Sequence, residues 1–119
     1  MFECNAVIEN VSLTNDDHGL LSAWLHLNYG GGGQGFGGFG GYALYLPKDF
    51  THSKDKHGDI CGHFIWRCLE VGGVTEWSNL IGKTIRVRKD NEWGSIIAIG
   101  HIVKDDWFEP TKEFDELLK

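Results

Sequence analysis

The sequence predicts a single α+β domain over residues 1–119, with a small antiparallel β-sheet of about five strands, one central helix and a short C-terminal helix. Three observations carry this. Apolar and polar residues alternate with a period of two on either side of a turn-rich cluster near residue 16, and again in Thr84–Lys89. A helical period runs through Ile60, Phe64, Cys68 and Val71. The chain is 41% hydrophobic and 24% charged, which suits one core of ordinary size without a disulfide or metal.

Taken in order, Ala6–Leu13 reads as a strand that ends at Thr14-Asn15-Asp16-Asp17-His18-Gly19, a run of turn-forming side chains. Leu20–Tyr29 follows as its hairpin partner, with Ala23, Leu25, Leu27 and Tyr29 on one face and Ser22, Trp24, His26 and Asn28 on the other. Gly30–Gly41, in which nine of twelve residues are glycine, reads as a loop. Tyr42–Leu46 resumes strand character and Pro47–Gly58 reads as a polar loop. Asp59 suits the N-cap of a helix running to about Val71, closed by Gly72-Gly73, and Thr75–Leu80 adds a helical turn. In Thr84–Lys89 the alternation sends Ile85 and Val87 inward and Arg86 and Arg88 outward. Ser95–Val103 returns as a strand in which Gly100 marks a bulge or a close backbone approach. Thr111–Lys119 forms the last helix, capped by Thr111.

Charge narrows the range of partners. The net charge is -6 and there are only three arginines, Arg67, Arg86 and Arg88, so the basic footprint of a bulk nucleic-acid binder is missing. Cys4, Cys61 and Cys68 lack a disulfide spacing and read as small buried hydrophobes in a reducing compartment. Met1–Val11 does not resemble a signal peptide, and no apolar run reaches spanning length, so a cytoplasmic, non-membrane location is expected.

The glycine stretch matches G-x-G-x-x-G from Gly30, Gly33 and Gly35, but a dinucleotide fingerprint requires a helix next, and a strand is expected here. Gly82-Lys83-Thr84 likewise enters a strand, and Trp77 occupies the position where a phosphate loop needs glycine. His57, Cys61, His63 and Cys68 fit no closed zinc spacing, and no serine sits in an elbow motif. Neither a catalytic residue, a metal ligand nor a cofactor is therefore assigned. Ligand-binding candidates are Gln34, Gly35, Phe36 and Phe39 in the glycine stretch, with Arg86, Arg88, Asn91 and Trp93 further on. Glycines allow backbone N–H groups to approach an anion, and aromatic rings offer faces for stacking. The stretch reads equally as a flexible hairpin connection. The arginine pair suits a phosphate by bidentate bonding, or else pairs across strands with acidic neighbours.

Several segments together resemble one phage family. They are Asn15-Asp16-Asp17-His18-Gly19-Leu20, Ala23-Trp24-Leu25-His26-Leu27-Asn28-Tyr29-Gly30 and Gly33-Gln34-Gly35-Phe36-Gly37-Gly38, followed by Gly41-Tyr42-Ala43-Leu44 and Gly82-Lys83-Thr84-Ile85-Arg86-Val87-Arg88. Ala98-Ile99-Gly100-His101-Ile102 and Trp107-Phe108-x-Pro110 complete the set. The pattern, over roughly residues 6–110, is similar to the type-one Thoeris anti-defence proteins of phages and prophages. The resemblance implies a non-catalytic sponge in the host cytoplasm. Such a protein binds a small cyclic nucleotide, an isomer of cyclic ADP-ribose made by TIR-domain immune enzymes, and does not cleave it. It also implies a homo-oligomer built from dimers, with pockets near subunit interfaces. The repeated Gly-Gly-Phe-Gly-Gly-Tyr at residues 37–42 departs from the pattern by lengthening the loop. Two alternatives belong to other classes. One is a phage inhibitor that binds a host defence protein through an acidic surface and the C-terminal segment, where residues 104–119 carry six acids and three lysines. The other is an enzyme that degrades the nucleotide, which needs a base or nucleophile that no motif supplies.

Overall fold

Strand β1 (Phe2–Asp17) organises the fold, because its two halves pair on opposite sides. In the computed structural model, which describes residues 1–17, 20–37 and 54–117, its second half pairs with β2 (Leu20–Asn28) from Val7↔Asn28 to Asp17↔Leu20. Its first half pairs with β4 (Thr84–Lys89) from Phe2↔Lys89 to Val7↔Thr84. Strands β3 (Gly33–Gly37), β5 (Ile96–Gly100) and β6 (Trp107–Phe108) extend the sheet outward in the order β3-β2-β1-β4-β5-β6, with every pairing antiparallel. The expected α+β class and the β1–β2 hairpin are present, with six strands in place of about five.

Helix α1 (Lys54–Gly72) lies on one face of the sheet and α2 (Pro110–Leu117) packs beside it. The helical period expected from sequence supplies the contact: Phe64, Cys68 and Val71 are fully buried against Ala6, Ile8, Leu25, Leu27, Ile85, Val87 and Ile99. An aromatic cluster closes the core. Phe36 stacks on Phe64 at 5.7 Å between ring centroids, and Phe108 meets Phe64 edge-on at 5.5 Å. Burial pushes the Cys68 thiol pKa well up, against the opposing influence of Arg67. Cys68 is therefore the inert buried thiol that was expected. No helix among the described residues is long and apolar enough to cross a membrane.

Several boundaries differ from expectation for identifiable reasons. β1 starts at Phe2 and runs on to Asp17, because β4 supplies partners for its first half and β2 for its second. α1 starts at Lys54, so Asp59 lies inside the helix, and Lys54–Gly58, expected as loop, is helical. β5 stops at Gly100 because the His101 Nδ1 accepts the amide protons of Val103 and Lys104 at 3.1 and 3.0 Å, which curls the chain away. Gly100 marks a close approach, since a Cβ there would stand 2.7 Å from the Trp107 indole. The β4–β5 register shift lies elsewhere, between Arg88 and Lys89. α2 opens on Pro110, whose fixed φ suits a first helical position, so Thr111 is within the first turn instead of capping it. The expected strand Tyr42–Leu46 lies outside the described residues.

Arg67 holds the helical layer to the sheet. Its guanidinium, with a side chain 13% exposed, donates to Asp106, Glu113, Glu70 and the Trp107 carbonyl at 2.8–3.1 Å. Burial works against its charge, but the hydrogen bonds to Asp106 and Glu70 outweigh it and raise its pKa.

Candidate functional site

The stagger along β1 creates an opening in the sheet. β2 ends at Asn28, opposite Val7, so on that side Phe2–Ala6 has no partner from β2. An open cleft of about 610 Å³ occupies this corner, bounded by Phe2 and Cys4 of β1, Tyr29, the glycines 31–33, Lys89 at the end of β4, and Trp93. That volume is within the range of small-molecule sites, roughly 300–1,000 Å³.

Each wall has a local cause. Gly30 takes φ +99°, which favours glycine, and its amide donates to Asn28 Oδ1 at 2.7 Å. Tyr29 N–H closes the turn on the Gly32 carbonyl at 2.8 Å. The opposite wall is the turn after β4, where Asn91 Oδ1 accepts from the Trp93 amide at 3.0 Å and the Asn91 carbonyl accepts from Gly94 N–H at 3.1 Å. Gln34 ties the two walls together. Its Oε1 accepts from the Tyr29 hydroxyl at 2.8 Å and its Nε2 donates to the Gly94 carbonyl at 3.1 Å.

Among the described residues two charged side chains line the cleft, Lys89 and Glu92. Lys89 is 5% exposed, and its Nζ donates to the Glu92 carbonyl at 3.3 Å. Nζ also stands 4.3 Å from the Tyr29 ring centroid and 5.9 Å from that of Phe2. Among the described residues no carboxylate forms an ion pair with it. A buried ammonium with one carbonyl and two aromatic faces is only partly compensated, and N–H donors remain for a further acceptor. Tyr29 stays a neutral phenol: burial, then the proximity of Cys4, push its pKa up to about 12.

The structure gathers some of the expected residues and separates others. Gln34 and Trp93 line the cleft, and Trp93, 89% exposed, stands at its mouth. Asn91 shapes the turn that carries Trp93. Phe36 is buried in the aromatic core, and Gly35 lies under Trp24, whose ring would be 3.1 Å from a Cβ there. The segment Gly33–Gly37, expected as loop, is strand β3. Arg86 and Arg88 alternate away from Ile85 and Val87, as expected, and so occupy the opposite face of the sheet from Lys89. There both guanidiniums stack over Trp107, at 4.6 and 3.7 Å. Arg86 donates to the carbonyls of His101 and Lys104, each at 2.7 Å, and Arg88 to Glu3 at 3.3 Å. The cross-strand pairing weighed for this pair is therefore present for Arg88, whose opposite residue on β1 is Glu3. Phe39 lies outside the described residues.

Sequence reasoning missed Lys89, Tyr29 and Phe2. The signal for Lys89 was present, because it continues the inward phase of Ile85 and Val87. Among the described residues no group of three or more His, Cys, Asp or Glu side chains is gathered to hold a metal ion. No protein family, curated protein or solved structure matches the chain.

Proposed function

We propose that the chain binds a small anionic, ring-bearing ligand of the nucleotide class and sequesters it unaltered. One observation carries this reading: Lys89 is buried, with no carboxylate ion pair among the described residues, at the wall of an open cleft with aromatic sides. A bound anion supplies the missing countercharge. Glycines 31–33 let a ligand approach the backbone closely, while Trp93, Phe2 and Tyr29 offer ring faces. The resemblance to Thoeris anti-defence proteins selects an isomer of cyclic ADP-ribose as the ligand and sequestration in the host cytoplasm as the outcome. Association of subunits, also implied by that resemblance, would cover exposed Trp93 and Trp66, side chains of a type enriched in interface cores.

A sponge stabilises the bound ground state and gives a transition state nothing extra. Phe2, Trp93 and the glycines offer contact area, and the Tyr29 hydroxyl, whose proton goes to Gln34 and whose pKa is pushed up to about 12, is not poised as a base. The rival reading, an acidic surface that docks on a host protein, draws less support. Asp106 and Glu113 of the acidic C-terminal segment are engaged by Arg67. The test is to incubate the protein for hours with excess cyclic ADP-ribose isomer, denature it, and weigh what is released by mass spectrometry. Full recovery of intact ligand, in amounts that match the protein, supports sequestration. Accumulation of a linear or hydrolysed product overturns it.

A further inference from the structure

A second cleft, of about 480 Å³, adjoins the first, and Asn5 and Tyr29 border both. Its remaining walls include Val7, Glu9, Asn28 and Thr84. By strand alternation these residues face away from Ile85, Val87 and Lys89, so the two clefts open on opposite faces of the sheet and meet at the stretch of β1 that β2 leaves unpaired. Their chemistry differs. The first has a buried ammonium and aromatic rings beside the Glu92 carboxylate; the second, among the described residues, has no Lys, Arg or His in its walls and carries the Glu9 carboxylate, the Asn5 and Asn28 amides and the Thr84 hydroxyl. A phosphate is repelled there, whereas sugar hydroxyls can donate to Glu9 and accept from Asn5 or Thr84.

Glu9 keeps the outward phase of Asn5 and Val7 beside a backbone irregularity. The β1–β2 register shifts between Ile8 and Asn10, which leaves Glu9 without a cross-strand partner on β2. Asn28 Nδ2 donates to Glu9 Oε2 at 3.2 Å and orients the carboxylate.

We infer that the second cleft is a polyol subsite of the same binding site, so that one ligand places its anionic and ring portions against Lys89 and a hydroxylated portion between Glu9 and Thr84. This rests on the proposed binding at Lys89. It is tested by titrating ADP and ADP-ribose, which differ by the terminal pentose, into the wild-type protein and into the Glu9→Ala, Thr84→Val and Lys89→Met variants. The wild type should bind ADP-ribose more tightly than ADP. Glu9→Ala should remove about tenfold of ADP-ribose affinity, the worth of one charge-assisted hydrogen bond, and leave ADP unchanged. Thr84→Val should act in the same direction more weakly, and Lys89→Met should weaken both ligands. Equal loss of both ligands in Glu9→Ala, or loss of neither, overturns the subsite while leaving the Lys89 reading standing. Failure of the wild type to bind either nucleotide overturns the subsite, and the Lys89 reading is then decided by titration of a cyclic ADP-ribose isomer.

Discussion

Gln34 and Gly94, 60 residues apart in sequence, are joined by a 3.1 Å hydrogen bond between two walls of the cleft. Through the same side chain Gln34 also accepts from Tyr29, so one amide fixes the glycine turn against the turn that carries Trp93. Gln34→Ala removes two part-buried hydrogen bonds, at about 1 kcal/mol each, and should lower stability by roughly 1–2 kcal/mol. It should also weaken ligand binding, because the two walls lose their common anchor. Urea unfolding and calorimetric titration of the same variant check both effects.

The hydroxyl of Tyr29 provides a pH test with a defined sign. Its folded pKa, about 12, lies above the ordinary tyrosine value of 10.0. The folded state therefore holds this proton more tightly than the unfolded chain does. That contribution to stability is complete below pH 10 and is lost as pH rises toward 12. Tyr29→Phe should flatten the fall in stability between these values, measured by urea unfolding at a series of alkaline pH values. An unchanged slope means that another group sets the alkaline limit.

Arg86 and Arg88 should behave as structural residues. Each stacks on Trp107, and a cation–π contact is worth about 0.5–2 kcal/mol. Arg88→Ala should lower stability by an amount in that range and leave ligand affinity within twofold of the parent, because Lys89 faces the other way. A large loss of affinity in Arg88→Ala with the fold intact would place the anion on the Trp107 side of the sheet instead.

Arg67→Ala should be the most damaging surface-proximal substitution. It strands Asp106, Glu113 and the Trp107 carbonyl at the seam between α1, α2 and β6. Removing one partner of a buried pair costs about 3–5 kcal/mol, and the partial exposure of Asp106 reduces this to about 2–3 kcal/mol. Hydrogen exchange should show α2 opening first.

How much the sequence discloses depends on whether the information is local. The inward phase of Ala23, Leu25 and Leu27, the Phe64–Cys68–Val71 stripe and the alternation of Ile85 and Val87 are local patterns, and each matches the buried core. β3 escaped notice because Gly33, Gly35 and Gly37 carry no side chain to show a period, and β6 because two residues cannot show one. The cleft itself depends on a register. β2 and β4 overlap along β1 only at Val7, and no segment read alone carries that offset. Lys89 lay within reach, since a charged residue in an inward phase is the departure that pattern reading should flag.

Lys89 is the residue on which anion binding most depends. Replacing a buried ammonium that has no carboxylate ion pair among the described residues with a thioether of similar length should leave stability equal or higher, since the desolvation cost of the charge disappears. The same change should remove the countercharge for an anion and weaken binding by roughly tenfold to a hundredfold. The decisive measurement is a calorimetric titration of a cyclic ADP-ribose isomer into wild-type and Lys89→Met protein, with thermal unfolding of both recorded in parallel. The expected result is saturable binding by the wild type and at least a tenfold loss in a variant whose melting temperature is unchanged or raised. Equal affinity in the two proteins, or a variant that loses stability while still binding, would contradict it.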